Sequence, residues 1–392
     1  MVASRFHWLA IGLAALVFAP LLAAPYHTSE QALRAAPGWL YLVDFTPWIS
    51  RGLHLALHLA AVWLTAGLVR DLLRRRAARI AIILYALHPL QTETLASLEA
   101  RPLLLAAVLS LAALRYWRRG NAWAAVSYGT LAAFADWSAV ALPLLLWLWS
   151  SKDHRREAAA PLGVLSGVGI ASVIHALGSS LTISAGYMAW QGVAVLRTFG
   201  LFVLPLAMSA DPDVQAPPLV AAWAWGAVAA VATLVCLHRA GPWRWSASAL
   251  IALAPTSCVL ASPQLAADPR ASLALVFLSG GAGRLLAGSD HKLRVTATAL
   301  LALVSLMQAN TWRSERAVWI EAARLAPAKV EPRIRLAPLI DAGHALQLLE
   351  GARTQASEDP AVERQRTHAL RRTAACAPSA GEACANSPEP SR

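Results

Sequence analysis

Charge is what this chain has least of. Only 14% of its 392 residues are Asp, Glu, Lys or Arg, where a soluble domain carries about 25%. Hydrophobic residues make up 57%, above the usual range of about 45–50%, and the mean hydropathy is +0.49. So few charges cannot cover a soluble surface of this size, which excludes a water-soluble globular enzyme. Lysine is nearly missing: Lys152, Lys292 and Lys329 are the full set among 34 basic residues. The four cysteines have no metal-ligand spacing, since Cys236 and Cys258 sit in apolar runs and Cys376 and Cys384 lie far along the chain. No phosphate-binding Walker loop, dinucleotide fingerprint or nucleophile elbow occurs.

Long apolar runs are what is there. A hydrocarbon core of roughly 30 Å takes about 20 residues per helix. Spans are predicted near 8–25, 53–70, 78–95, 102–117, 121–136, 138–150, 158–178, 218–237, 245–262, 271–287 and 295–310, with 121–136 and 138–150 forming one tight hairpin. The first run lacks a small-residue cleavage site and reads as an anchor. Alternate loops differ in charge. One set, including Arg70–Arg79, Arg115–Arg119 and Lys152–Arg156, holds 17 basic residues and four acids; the other holds five basic residues and eight acids. The positive-inside rule places the first set, with the N-terminus, in the cytoplasm. The net positive charge is then topological and calls for no nucleic-acid partner. Eleven spans satisfy this pattern if 191–208 is an interfacial or re-entrant helix, leaving the chain after 310 outside. The expected fold is an all-α, polytopic membrane helix bundle in a bacterial inner membrane, with a short C-terminal helical region in the periplasm.

The organisation is in parts: a polytopic unit at 1–310, polar helices at 311–373 and a disordered tail at 374–392. Trp312, Val318, Trp319, Ala322 and Ala323 recur at helical spacing. Pro327 and Pro332 bracket a turn, a helix follows to about Glu350, and a charged helix runs from Pro360 to Arg372. Cys376 and Cys384 enclose a short loop that an oxidising compartment would favour as a disulfide.

Polar residues close to a bilayer are costly and point to function. The densest group is His88-Pro89-Leu90-Gln91-Thr92-Glu93-Thr94, followed by Glu99 and Arg101. A carboxylate there can take a proton or hold a metal, and an arginine can grip a phosphate. A merely polar turn between two helices fits the same spacing. His54 and His58, one helical turn apart, could ligate a metal or haem or serve polar packing. Asp211 and Asp213 fit either an acceptor site or an ordinary turn. Arg197 and Arg270 are candidate phosphate clamps on the acidic side, or partners for lipid or an outer-loop acid.

The same residues carry a resemblance. Leu87 to Leu95 resembles the HP-[LV]-x-TEAV signature of the TMTC-type O-mannosyltransferases and their bacterial tetratricopeptide-repeat-linked relatives in the GT-C superfamily. Segments 190–199 and 204–214 resemble that family's Q…YLR…P-x-x-LS-x-D-x-V stretch. Segment 266–275 resembles its arginine-bearing loop, with Arg270 on the arginine. Residues 310–327 resemble its W-x-SE-x-x-LW passage into the first repeat. The similarity runs over about 50–335, in the family's order. Four positions differ: the first outer loop holds only Glu30 where the family has an acidic pair, Leu103 stands where an acid follows Arg101, Asp136-Trp137 stands for the Lys-Glu pair before the sixth span, and the acid before Arg270 is Asp268.

The resemblance implies a GT-C-like membrane domain followed by repeat-like helices. It also implies transfer of a sugar from a polyprenyl-phosphate donor in the bilayer to an outward-facing, protein acceptor. Glu30 and Glu93 become the candidate catalytic carboxylates. His88, Gln91, Arg101, Gln191, Arg197, Asp211, Asp213 and Arg270 become candidate substrate-binding residues. No cofactor is required by the pattern, though a divalent metal on oxygen ligands fits such chemistry. The alternative is a catalytically degenerate relative that keeps the lipid groove and acts as a binding or assembly protein.

Overall fold

The computed structural model describes residues 5–24, 47–150, 158–179, 182–183, 185–214, 218–237, 243–257, 260–261, 268–354 and 360–375. Helix dominates throughout. The chain divides into two compact units, one made of 1–206 and 214–310 and the other of 207–213 and 311–392.

The first unit holds thirteen α-helices among its described residues: α1 (Arg5–Phe18), α2 (Pro47–Leu72), α3 (Arg75–Leu87), α4 (Gln91–Ala96), α5 (Arg101–Arg118), α6 (Ala122–Ala135), α7 (Leu142–Leu148), α8 (Ala159–Ser179), α9 (Ala185–Val203), α10 (Pro218–Leu237), α11 (Trp243–Leu253), α12 (Ser272–Leu285) and α13 (His291–Thr311). Five helical stretches are long and apolar enough to cross a membrane: Phe6–Ala23, Pro47–Leu72, Ala159–Gly178, Pro269–Gly288 and His291–Thr311. Several helices can therefore span a bilayer, as a multi-pass membrane protein requires.

Two expected spans are not single helices. The run 78–95 breaks at His88, whose ψ of 132° is extended, because the residue before a proline is driven out of the helical region. The chain restarts as α4, only six residues long and buried along its whole length. The run 245–262 likewise stops at Leu253. Pro255 opens a 3-10 turn, and Leu260–Ala261 then pairs antiparallel with Thr182–Ile183. Between α6 and α7 the chain turns at Asp136, whose Oδ1 accepts from the Ser138 N–H at 2.8 Å. Of the segment 191–208, residues 191–203 belong to α9, a helix of 19 residues, and 204–208 lie beyond its end.

Packing follows from small residues. Helix α12 lies against α3 and α11, and α5 against α2 and α6. At Gly283 an added Cβ would come within 2.5 Å of the Ala77 carbonyl oxygen, and at Gly280 within 2.2 Å of the Trp245 ring. Those glycines let backbone and indole approach where any side chain would collide. Trp245 joins Trp149 and Phe277 in an aromatic cluster, with Trp149 and Trp245 at 4.8 Å between centroids. The Trp149 indole N–H donates to Ser248 Oγ at 2.9 Å, so the ring is buried without an orphaned donor.

The second unit contains α14 (Glu315–Leu325), α15 (Glu331–Leu336), α16 (Ala342–Arg353) and α17 (Pro360–Ala375). Its core is small: Ala337, Ala345, Leu349 and Ala369 in one cluster, and Ile334, Ala352 and Val362 in another. One local expectation changes here. Trp312 lies in the turn before Ser314, the N-cap of α14, and so is not on the helix with Val318 and Ala322. The turn expected between Pro327 and Pro332 is present, with Pro332 in the first turn of α15, a place where its missing N–H costs nothing. Asp341 caps α16, accepting from the His344 N–H at 3.0 Å. Ala207 takes a left-handed conformation, φ 54°, which a side chain disfavours.

Candidate functional site

The polar residues of the first unit gather around the short helix α4. Helix α2 brings Ser50, Arg51, His54 and His58 to it on one face, at the i, i+3/4 spacing of a helical stripe, and all four are buried. Arg101, at the first position of α5, is buried too. Its Nε donates to His54 Nε2 at 3.1 Å, and its Nη2 donates to Ser50 Oγ. His54 Nδ1 lies 3.1 Å from the Leu95 carbonyl. Since a carbonyl only accepts, the proton sits on Nδ1 and leaves Nε2 free to accept from Arg101. Arg51 donates to the Ala96 carbonyl. Two basic side chains thus close the C-terminal end of α4, where unpaired carbonyls would be costly in an apolar setting.

The other end of α4 is held differently. His88 Nδ1 accepts from the Leu90 N–H at 3.2 Å, so its Nε2 carries the proton and donates to the Phe202 carbonyl at 3.1 Å. The imidazole also stacks on the Phe202 ring at 5.1 Å, tying α4 to α9. Gln91 is fully buried beside the Tyr85 hydroxyl. His58, engaged through Nε2 with the Ala86 carbonyl at 3.2 Å, packs at 5.9 Å from Tyr85. These contacts give both α2 histidines packing roles.

Next to this core lies a small cleft, partly open to the outside. Its walls include Leu103, Ser110, Ser138, Thr256, Arg270 and Ser272. Arg270 projects from the 3-10 turn Asp268–Ala271, and its Nη1 donates to Tyr187 Oη at 2.9 Å. Tyr187 in turn donates to the Thr256 carbonyl at 3.1 Å. Asp136 lies close enough to Arg270 for their charges to interact. Ser272 donates to the Pro269 carbonyl at 2.7 Å, and the Thr94 hydroxyl meets Ser272 at 3.2 Å. That last contact joins α4 to the cleft wall.

The candidate residues therefore separate. Arg270 lines the cleft, with Thr94 linking it to the helix that carries Glu93, which is 7% exposed. Arg101 and Gln91 are turned into the bundle, where Arg101 serves His54 and Ser50. Gln191 is buried on α9 and Arg197 is half-buried on the same helix. Asp211 and Asp213 belong to the second unit. There Lys329 Nζ donates to Asp211 Oδ1 at 2.5 Å and to the Pro212 carbonyl at 3.0 Å, and the Asp211 N–H donates to Ser209 Oγ at 3.2 Å, which makes this segment a braced turn. Glu30, Cys376 and Cys384 lie outside the described residues. Among the described residues no three His, Cys, Asp or Glu side chains gather as a metal site would require.

Sequence reasoning did not single out Asp136, Ser138, Tyr187 or Ser272 as site residues. Asp136 could have been found, as an acid between two apolar runs. Tyr187, Ser138 and Ser272 carry no local signal, since only the packing of α9 and α12 brings them to Arg270. Comparison with family models, with curated proteins and with solved structures finds no match to this chain.

Proposed function

We propose that this protein is an integral membrane glycosyltransferase of GT-C-like design, which takes a sugar from a polyprenyl-phosphate donor and passes it to an outward-facing protein acceptor. The observation that carries the reading is Arg270 in the cleft. It is an arginine on the acidic, outer side of the charge pattern, held by Tyr187 and surrounded by hydroxyls. A guanidinium oriented this way suits a phosphate, whose oxygens it can grip bidentately. The resemblance of 266–275 to the family's arginine loop points to the same residue. Glu93, on the buried helix whose Thr94 meets the cleft wall, is the carboxylate placed to serve an acceptor, and Glu30 is the second candidate. In this arrangement the chain makes eleven spans in a bacterial inner membrane, with the N-terminus in the cytoplasm and the repeat-like helices after residue 311 in the periplasm.

A second reading has its own support. Among the described residues lining the cleft none is a carboxylate, which suits a relative that binds the lipid phosphate without transferring the sugar. Purified protein offered a lipid-linked sugar separates the two. Arg270→Ala is expected to weaken lipid binding several-fold to a hundredfold, about 1–3 kcal/mol for a lost charge-assisted contact. If wild type transfers sugar and Glu93→Gln binds but does not transfer, the enzyme reading holds. Binding without transfer in wild type selects the second reading, and absence of lipid binding sinks both. A periplasm-active reporter fused after Pro327 tests the orientation, and activity from a cytoplasm-only reporter there would overturn it.

A further inference from the structure

Arg115 is the least settled charge in the first unit. It lies near the end of α5, and its side chain is 6% exposed. Its Nε and Nη1 are buried and meet no acceptor, although a desolvated guanidinium is costly unless its donors are paired. The site is shaped to hold it. Gly67 of α2 leaves room that a Cβ would remove, coming within 1.7 Å of Nη1. The Trp63 ring, one turn earlier and half-exposed, lies under the guanidinium with Cζ 4.7 Å from its centroid.

The charges facing Arg115 come from both helices packed there. Arg70 and Asp71 stand on α2 and Arg119 follows α5, all close enough to act on it electrostatically. Arg70 is folded back onto the Ala66 carbonyl at 3.0 Å. Arg74, Arg75 and Arg76 extend the same exposed basic rim. One acid among so many arginines leaves the cluster strongly cationic. The last turns of two helices favour cations in general, which accounts for arginines at this end but not for a buried one with idle donors beside a glycine notch.

We propose that Arg115, Arg119 and Arg70, with Trp63, form a seat for the phosphate of an anionic phospholipid at the basic end of the bundle. The phosphate oxygens meet the outer edge of the guanidinium, whose Nε and Nη1 are sealed inside, and supply the counter-charge that the protein withholds from Arg115. The half-exposed indole suits the headgroup level of a bilayer, where aromatic rings with a polar edge collect. A basic rim beside spanning helices draws anionic lipid to that place. The ligand is a lipid rather than free phosphate because Trp63 and the apolar surface of α2 offer acyl chains a wall.

The test uses the full-length protein in neutral detergent, titrated with phosphatidylglycerol or phosphatidylcholine in mixed micelles, with bound lipid read by native mass spectrometry. Phosphatidylglycerol should bind about tenfold more tightly than phosphatidylcholine. Arg115→Gln should remove most of that preference. Arg119 is exposed, so Arg119→Gln should fold normally and still weaken phosphatidylglycerol about threefold. Arg284→Gln, at a basic residue in the last turn of α12, should change nothing. Equal binding of the two lipids would overturn the proposal. So would Arg119→Gln behaving like Arg284→Gln, or inorganic phosphate in excess displacing the bound lipid fully.

Discussion

Both units are rich in arginine, and they use it in opposite ways. In the first unit Arg51, Arg101 and Arg115 are buried, and Arg51 and Arg101 donate to a carbonyl, an imidazole and a hydroxyl. In the second unit three arginines, Arg324 exposed and Arg335 and Arg366 half-buried, face acids: Arg324 with Glu321 at 2.6 Å, Arg335 with Glu331 at 2.7 Å, and Arg366 with Glu350 at 2.7 Å. Exposed pairs of this kind contribute between nothing and about 1 kcal/mol, because water screens them and holding two long side chains still costs entropy. A buried guanidinium has no water to return to, so each lost partner carries its full desolvation penalty. The same residue type is an anchor in one setting and surface decoration in the other.

That contrast can be broken by experiment. The largest effect is expected from Arg101→Ala, which strips His54 Nε2 and Ser50 of a buried charged donor. It should destabilise the first unit by about 3 kcal/mol, measured by thermal unfolding in detergent. Gly280→Ala should follow at about 2 kcal/mol, since the new methyl must displace the Trp245 ring. Tryptophan fluorescence from the aromatic cluster reports it directly. Lys329→Ala should cost about 1 kcal/mol, less than Arg101→Ala, because the Lys329–Asp211 bridge is mostly but not wholly buried, with side chains 24% and 18% exposed. Should Lys329→Ala prove the more damaging of the two, the ordering by burial fails.

The smallest effect is a pH dependence of the second unit. The Asp341 carboxylate is held below its ordinary range, chiefly by the His344 backbone N–H and then by the His344 side chain. Glu321 is lowered by its hydrogen bond from Arg324. A depressed carboxylate stabilises the folded form above its unfolded pKa and loses that contribution as pH falls through the folded value. Faster amide exchange at the start of α16 is therefore expected only below about pH 4, and Asp341→Asn should flatten the change. Acceleration that Asp341→Asn leaves unchanged would argue against this carboxylate as its source.

Much of the architecture was legible along the chain. Most expected spans lie on observed helices, because 15–25 apolar residues in a row leave the backbone few other ways to satisfy its hydrogen bonds. The errors fall at Pro89 and Pro255, where hydropathy continues but helix geometry cannot. The site was less legible. The polar run 88–94 announced itself by composition, yet its division of labour did not. Arg101 and Arg270 look alike in the sequence as arginines beside prolines, and nothing local says that one faces His54 and the other a cleft.

What the sequence determined by itself is the helical character, the apolar lengths and the uneven distribution of basic residues, all set by local periodicity and transfer energies summed over neighbours in the chain. Only the tertiary structure decided which polar groups pair. Arg101 meets His54 across 47 positions, Arg270 meets Tyr187 across 83, and Thr94 meets Ser272 across 178. Such pairings depend on where small residues such as Gly280 and Gly283 let helices close up, and that property belongs to two surfaces in contact rather than to either segment alone.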